Sequence, residues 1–184
     1  MNHEKTVDLR VKRTKKHLHN ALFEIMEKQP FESITVKQIC DLAMVHRTTF
    51  YTHFQDKYDL LSQAMRQIAE EEIDFSTFSH SPSQNFKELF AIAAKHKNLF
   101  SQLLMEERDS LRNLLRREMG AGIQMDMVNN FSFTENSIEM RIKVEAYVGA
   151  VLGVLTWWIE NNMPINQEEM CRKMDIFSDF KFAE

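Results

Sequence analysis

Apolar residues recur at three- and four-residue spacing along most of the chain, and short polar or proline-marked breaks separate the runs. Over residues 8–29 the stripe is Val11, Leu18, Leu22 and Ile25, widened by Ala21 and Met26, which predicts a first helix with one face in a core. Pro30 should stop it, because proline lacks the helical donor and restricts Gln29 before it. Phe31 and Ile34 then read as anchors of a turn. Thr35, with Gln38 three residues on, has the spacing of a capping box, and Val36, Ile39, Cys40 and Ala43 give the short helix that follows its buried side. Met44, Val45 and His46 make a turn, with Val45 as its apolar plug. In the next helix, Arg47–His53, Phe50 and Phe54 stand four apart on the inner face.

Further along, Tyr58, Leu61, Ala64, Met65 and Ile68 continue as a helix whose distal acidic run, residues 70–72, is a solvated face. The segment DFSTFSHSPSQ has linker composition, so two domains are expected, residues 1–72 and 73–184. Helical spacing returns with Phe86, Leu89, Phe90 and Ala93, then Leu99, Phe100, Leu103 and Leu104, then Leu111, Leu114 and Leu115. Gly120 and Gly122 fall inside that last run, where a kink, a break or a close contact is expected. A long helix from about residue 134 to 160 is apolar on all sides, which predicts burial on all sides. On it Gly149 and Gly153, four apart with Ala146 and Ala150 beside them, would let another helix backbone approach closely. A last helix, Gln167–Ser178, capped by Asn166, offers Met170, Met174 and Phe177. The fold class is therefore all-α, with about nine helices.

The polar positions add chemistry. Arg10, Lys12, Arg13, Lys15 and Lys16 crowd the first turns of the first helix with no acid among them, the kind of run that meets phosphate. In the helix at 47–53 the outward residues are Arg47, Thr48, Thr49, Thr52 and His53. Threonine is a mediocre helix former, but hydroxyls and methyls suit base edges, and arginine can fork onto guanine. Two short helices about a tight turn, the second with such a face, read as a helix-turn-helix DNA reader.

Charge supports a division of labour. The formal net charge is −4, yet residues 1–57 hold 10 Lys and Arg against 7 Asp and Glu, and the remainder hold 13 against 20. A basic head on an acidic body meets phosphate at one end only. Glycine and proline are scarce, four and three residues, which disfavours a turn-rich sheet protein. Cys40 and Cys171 read as two reduced core thiols without zinc spacing. The N-terminus lacks a signal peptide's apolar core, and the nearly apolar run 146–159 is shorter than the roughly 20 residues a membrane span needs, so a cytoplasmic protein with no membrane partner is expected. No phosphate-binding glycine loop, nucleophile motif or metal spacing occurs, so neither catalysis nor a cofactor is expected.

The arrangement resembles the TetR family of bacterial transcriptional regulators. A basic first helix ending at QPFESITV, followed by KQICDLAMVHRTTFYTHFQDKYDLL, carries the likeness over residues 8–68, and the T-F-Y-x-H-F core with a lysine shortly after is its specific part. GAVLGVLTWWIENN is similar to the C-terminal domain of one subgroup. The resemblance implies Thr35 and Lys37 near phosphates, His46, Arg47, Thr48, Thr49 and Thr52 at or near bases, and Tyr51, His53 and Lys57 on phosphates. It also implies a homodimer in which the last two helices of each subunit form a four-helix bundle, with Val148, Gly149, Leu152, Gly153, Met170 and Met174 as its candidates. Two departures stand out: Met44 replaces the usual turn glycine, and His46 the usual serine or asparagine.

The expected function is a repressor that binds palindromic double-stranded DNA as a dimer and responds to an effector. Phe100, Met105, Met119, Met125, Phe131, Tyr147 and Trp157 are adaptable or aromatic side chains that also serve as ordinary core. Of these Phe100, Met105, Tyr147 and Trp157 are the candidates for a ligand lining, suited to an apolar or aromatic small molecule. The alternative is a coregulator controlled by a protein partner instead of a small ligand.

Overall fold

The computed structural model describes residues 2–72, 82–105, 110–131 and 137–174. Among them are nine α-helices, one 3-10 turn and no strand. The helices are α1 (Asn2–Met26), α2 (Val36–Ala43), α3 (Arg47–His53), α4 (Lys57–Glu72), α5 (Pro82–Lys95), α6 (Lys97–Met105), α7 (Ser110–Phe131), α8 (Ile138–Glu160) and α9 (Gln167–Lys173); the 3-10 turn, Phe31–Ser33, lies between α1 and α2. The chain forms two compact units, residues 1–65 and 66–184, so compactness divides it inside α4. The expected boundary at residue 72 is the end of that helix, and the linker-like residues 73–81 lie outside the described residues.

In the first unit, α1 packs on α2 and α2 on α3. Leu18, Leu22, Ile25, Phe31, Ile34, Ile39, Phe50, Phe54, Leu60 and Leu61 are buried together in one small core. Burial of a side chain of this size contributes about 1.5–3 kcal/mol, so these few residues dominate the unit's stability. The helix α1 stops at Met26, ahead of Pro30, and the amides of Glu27, Lys28 and Gln29 close its last carbonyls. Pro30, extended at φ −60° and ψ 141°, instead opens the 3-10 turn.

In the second unit, α7 packs along α8, α6 packs against both, and α9 packs on α5. The helix α7 runs through Gly120 and Gly122 without a break; a Cβ at Gly120 would sit 3.7 Å from Val144 Cγ1, an ordinary contact. Ser137 caps α8 by accepting from the Met140 amide, and Asn166 caps α9 by accepting from Glu169. Helix α8 is 23 residues long and apolar enough to cross a membrane by length and composition alone, as a core helix also can be, and half of its most apolar stretch is buried in the fold. Ten of its residues are buried, among them Val144, Tyr147, Val151, Leu155 and Trp158.

Burial of α8 is nonetheless one-sided. Ile138, Ile142, Ala146, Gly149, Gly153 and Trp157 recur at four-residue and three-residue steps and are exposed in the single chain, with Ile138 78%, Ile142 64% and Trp157 50% accessible. A Cβ at Gly149 or Gly153 would meet nothing within 4 Å. The expected all-round burial is therefore replaced by a core side and an open apolar side.

Candidate nucleic-acid interface

The reader is built by two helix ends. Thr35 starts α2 with a complete capping box: its hydroxyl accepts from the Gln38 amide at 3.2 Å, and Gln38 Oε1 accepts from the Thr35 amide at 2.8 Å. At the other end Met44 adopts φ 53° and ψ 40°, with its amide donating to Asp41 and the Val45 amide reaching back to Cys40 at 3.0 Å. That is a Schellman closure with methionine in glycine's place, at a cost of about 1–2 kcal/mol. Met44 is 91% exposed, so the side chain itself meets no resistance.

The turn delivers α3 with Phe50 fully buried and Phe54 nearly so, their rings 5.4 Å apart. Helical geometry then sends Arg47, Thr48, Tyr51 and Thr52 to the opposite side, and all four are exposed. Thr49 and His53 flank this face half-buried, and His46 stands exposed before it without a side-chain cap bond. Thr52 Oγ1 donates to the Thr48 carbonyl at 2.9 Å, which leaves its lone pairs and methyl to face outward.

The surrounding cations fall into two groups. Arg10, Lys12, Arg13 and Lys16 are exposed along α1. Lys37 is exposed on α2 and paired with Asp41 at 2.8 Å; with both partners mostly exposed, the pair costs little to open. Lys15 turns inward, donating to Gln63 at 3.0 Å and lying 5.7 Å from the Phe54 ring. Lys57 does the same more completely. Its amine donates to the carbonyls of Phe31, Glu32 and Ile34. Thr35 remains exposed, but its hydroxyl is engaged by Gln38. Burial pushes the Cys40 thiol up, with Arg47 opposing, which suits an inert core residue.

In the body, Phe100 and Tyr147 are buried whereas Met105 and Trp157 are half exposed, so the four residues expected to line a ligand site do not share one interior. Val148, Leu152, Met170 and Met174 are buried within the chain, while Gly149 and Gly153 are exposed. The surface on α8 is thus carried by Ile138, Ile142, Gly149, Gly153 and Trp157. Their spacing was visible in the sequence, but the apolar residues on every other side hid which side they formed. Phe177, Phe131's side chain and the end of the expected last helix lie outside the described residues.

A polar-faced helix set on a capped two-helix corner, with a basic helix ahead of it, defines a helix-turn-helix regulator. Residues 18–64 match the model of the bacterial regulatory proteins of the tetR family, and residues 80–179 match that of a transcriptional regulator C-terminal region. The chain belongs to the TetR family and carries the N-terminal helix-turn-helix region of its regulatory proteins. It is 28% identical over 186 residues to the uncharacterized HTH-type transcriptional regulator YxbF of Bacillus subtilis (strain 168), covering 97% of this chain and 48% of that protein. The chain thus spans about half the length of this curated relative. Among solved structures it is similar to a TetR transcriptional regulator from Streptococcus agalactiae 2603V, with TM-score 0.64, 17% identity and coverage of 92% of this chain and 96% of that one. It is also similar to the dihydroxyacetone kinase operon activator DhaS, with TM-score 0.61, 15% identity and coverage of 89% and 93%.

Proposed function

We propose that this chain is a cytoplasmic repressor that binds a palindromic operator as a homodimer, each subunit placing α3 in a major groove, and is released when the body takes up an apolar or aromatic small molecule. The observation that carries the DNA contact is the α3 face of Arg47, Thr48, Tyr51 and Thr52, held outward by buried Phe50 and Phe54. Arg47 supplies the fork for a guanine, and Thr52 an acceptor and a methyl. Arg10, Lys12, Arg13, Lys16 and Lys37 supply phosphate contacts. The open apolar side of α8 supports the dimer, since its glycines leave room for a partner helix and its isoleucines and tryptophan lose water on contact. Two readers would then meet half-sites about 34–36 Å apart, and an effector acts by changing that spacing.

Selection of bound duplexes from a random pool tests this reading. A palindromic site is expected, and Arg47→Ala should cost about 1–3 kcal/mol on it while relaxing preference at one base pair per half-site. Recovery of no common sequence would sink the proposal.

A further inference from the structure

Hydrogen bonds have a direction, and α3 fixes it at one residue of its outward face. The Thr52 hydroxyl carries a single proton, and Oγ1 donates it to the Thr48 carbonyl oxygen at 2.9 Å, one turn earlier. Turning that proton outward would give up this bond. What Thr52 keeps for its surroundings is therefore lone pairs and a methyl group. Thr52 is exposed, and the side of α3 on which it stands is set by Phe50 and Phe54, both buried. Arg47, exposed at the start of the same face, has the opposite character, because a guanidinium has five donors and no acceptor. The face thus passes from donors to an acceptor over about 7.5 Å of helix axis, at about 1.5 Å per residue.

A duplex offers few partners to a group that can only accept. Phosphate oxygens accept, and so do guanine N7 and O6, adenine N7 and thymine O4; the donors in the major groove are the amino groups of adenine and cytosine. A lone pair turned to any of the former meets another lone pair. The methyl then divides the two amino groups, since an A·T pair carries the thymine methyl on the same groove edge and a G·C pair has no methyl to offer. We infer that Thr52 selects an A·T pair, with Oγ1 accepting from adenine N6 and the threonine methyl packing on the thymine methyl, while Arg47 reads guanine in the same half-site. The inference rests on the reading of α3 as the DNA-contacting helix and adds the direction in which its hydrogen bonds run.

Variants that separate oxygen from methyl test the assignment. Wild type, Thr52→Val and Thr52→Ser each select duplexes from a random pool, and the pair assigned to Thr52 is the A·T pair whose preference Thr52→Val loses. Valine keeps the methyl and removes the acceptor; serine keeps the hydroxyl and removes the methyl. Thr52 is exposed, so both variants should melt with wild type. Affinities are then compared at one salt concentration. Purine in place of that adenine, which removes the amino group, should weaken wild type about fivefold and Thr52→Val by less than about twofold. Uracil in place of the thymine, which removes the methyl, should weaken wild type about threefold and leave Thr52→Ser unaffected. Selection by Thr52→Val of the wild-type sequence overturns the inference. Guanine or cytosine as the base that Thr52→Val ceases to prefer does the same, and so does uniform weakening across all sequences, the mark of a phosphate contact. Should Thr52→Val fail to fold, uracil is placed at each thymine in turn, and the absence of any position where wild type weakens and Thr52→Ser does not overturns the assignment. A wild-type chain that selects no duplex overturns the reading of α3 itself, and this assignment with it.

Discussion

Helices α3 and α8 both leave one side in water, but what each exposes differs in kind. In α3 the exposed residues are Arg47, Thr48, Tyr51 and Thr52, which offer hydrogen bonds and charge, and the seven-residue helix is held by two aromatic anchors. In α8 the exposed residues include Ile138, Ile142, Ala146, Gly149, Gly153 and Trp157, with the charged Glu139, Arg141, Glu145 and Glu160 exposed as well, while ten others are already committed to a core. A polar face suits a nucleic acid, whose grooves present donors, acceptors and phosphates. An apolar face with room over two glycines suits a second protein helix. The two regions therefore differ in how they fail: α3 through loss of its anchors, α8 through change of its open side.

Removal of an anchor should have the largest effect. Phe50 is fully buried in a small core, and Phe50→Ala should cost about 3–5 kcal/mol, enough to unfold residues 1–65 while the body stays helical. Thermal unfolding with amide exchange resolved by unit would read this; a uniform, minor loss in both units would erase the contrast. The opposite result is expected for α8. Ile142→Glu places a charge on the open side, so the stability of a single chain should change by less than about 0.5 kcal/mol, while a dimer, if Ile142 lies in its interface, should dissociate at least tenfold more readily. Sedimentation over a range of concentrations measures the second quantity and chemical denaturation the first. Unaltered association in Ile142→Glu would remove α8 from the dimer proposal.

How much of this was legible depended on the range of the interactions. The capping box at Thr35 and Gln38 and the cap at Asn166 can be read in the sequence because each is closed within four residues. The position of Met44 was equally legible, since Phe50 and Phe54 fix where the second helix must begin. The hydrogen bonds of Lys57 were not, because its three carbonyl partners lie 23 to 26 residues earlier and carbonyls leave no mark in a sequence. The open side of α8 was hidden for another reason: a helix apolar all round carries no direction, and only packing by α6 and α7 decides which side remains. The same limit applies to Val148 and Leu152, which are buried within the single chain.

Met44 tests the local part of that reading. Its left-handed backbone is a conformation that glycine adopts without strain, and its side chain is solvent-exposed, so truncation sacrifices little packing. Met44→Gly should raise stability by about 1 kcal/mol in residues 1–65 and leave the body unchanged. A decrease on denaturation would show that the methionine side chain contributes to the corner.

The smallest effect concerns the far end of α4. Lys95 Nζ donates to Glu72 Oε1 at 2.6 Å, and His96 Nε2 lies 3.4 Å from the same oxygen. The Lys95 hydrogen bond holds the Glu72 carboxyl below its ordinary value of 4.5; burial opposes it and His96 adds to it. Between the folded and unfolded values the unfolded chain binds more protons, so this contribution is present above pH 4.5 and is lost as pH falls through the depressed folded value. Lys95 is mostly exposed, so Glu72→Gln should cost less than about 1 kcal/mol at neutral pH. The difference in melting temperature between Glu72→Gln and wild type should shrink steadily from pH 6 to pH 3, about the range that spans the titration. At the other end of the helix Lys57 is held by neutral carbonyls, which do not titrate over that range. Carboxylates stand at that end as well, since Asp56 accepts from the Tyr58 and Asp59 amides and Glu32 from the Tyr58 hydroxyl, so amide exchange near Glu72 isolates the Glu72 contribution only as the difference between Glu72→Gln and wild type at each pH.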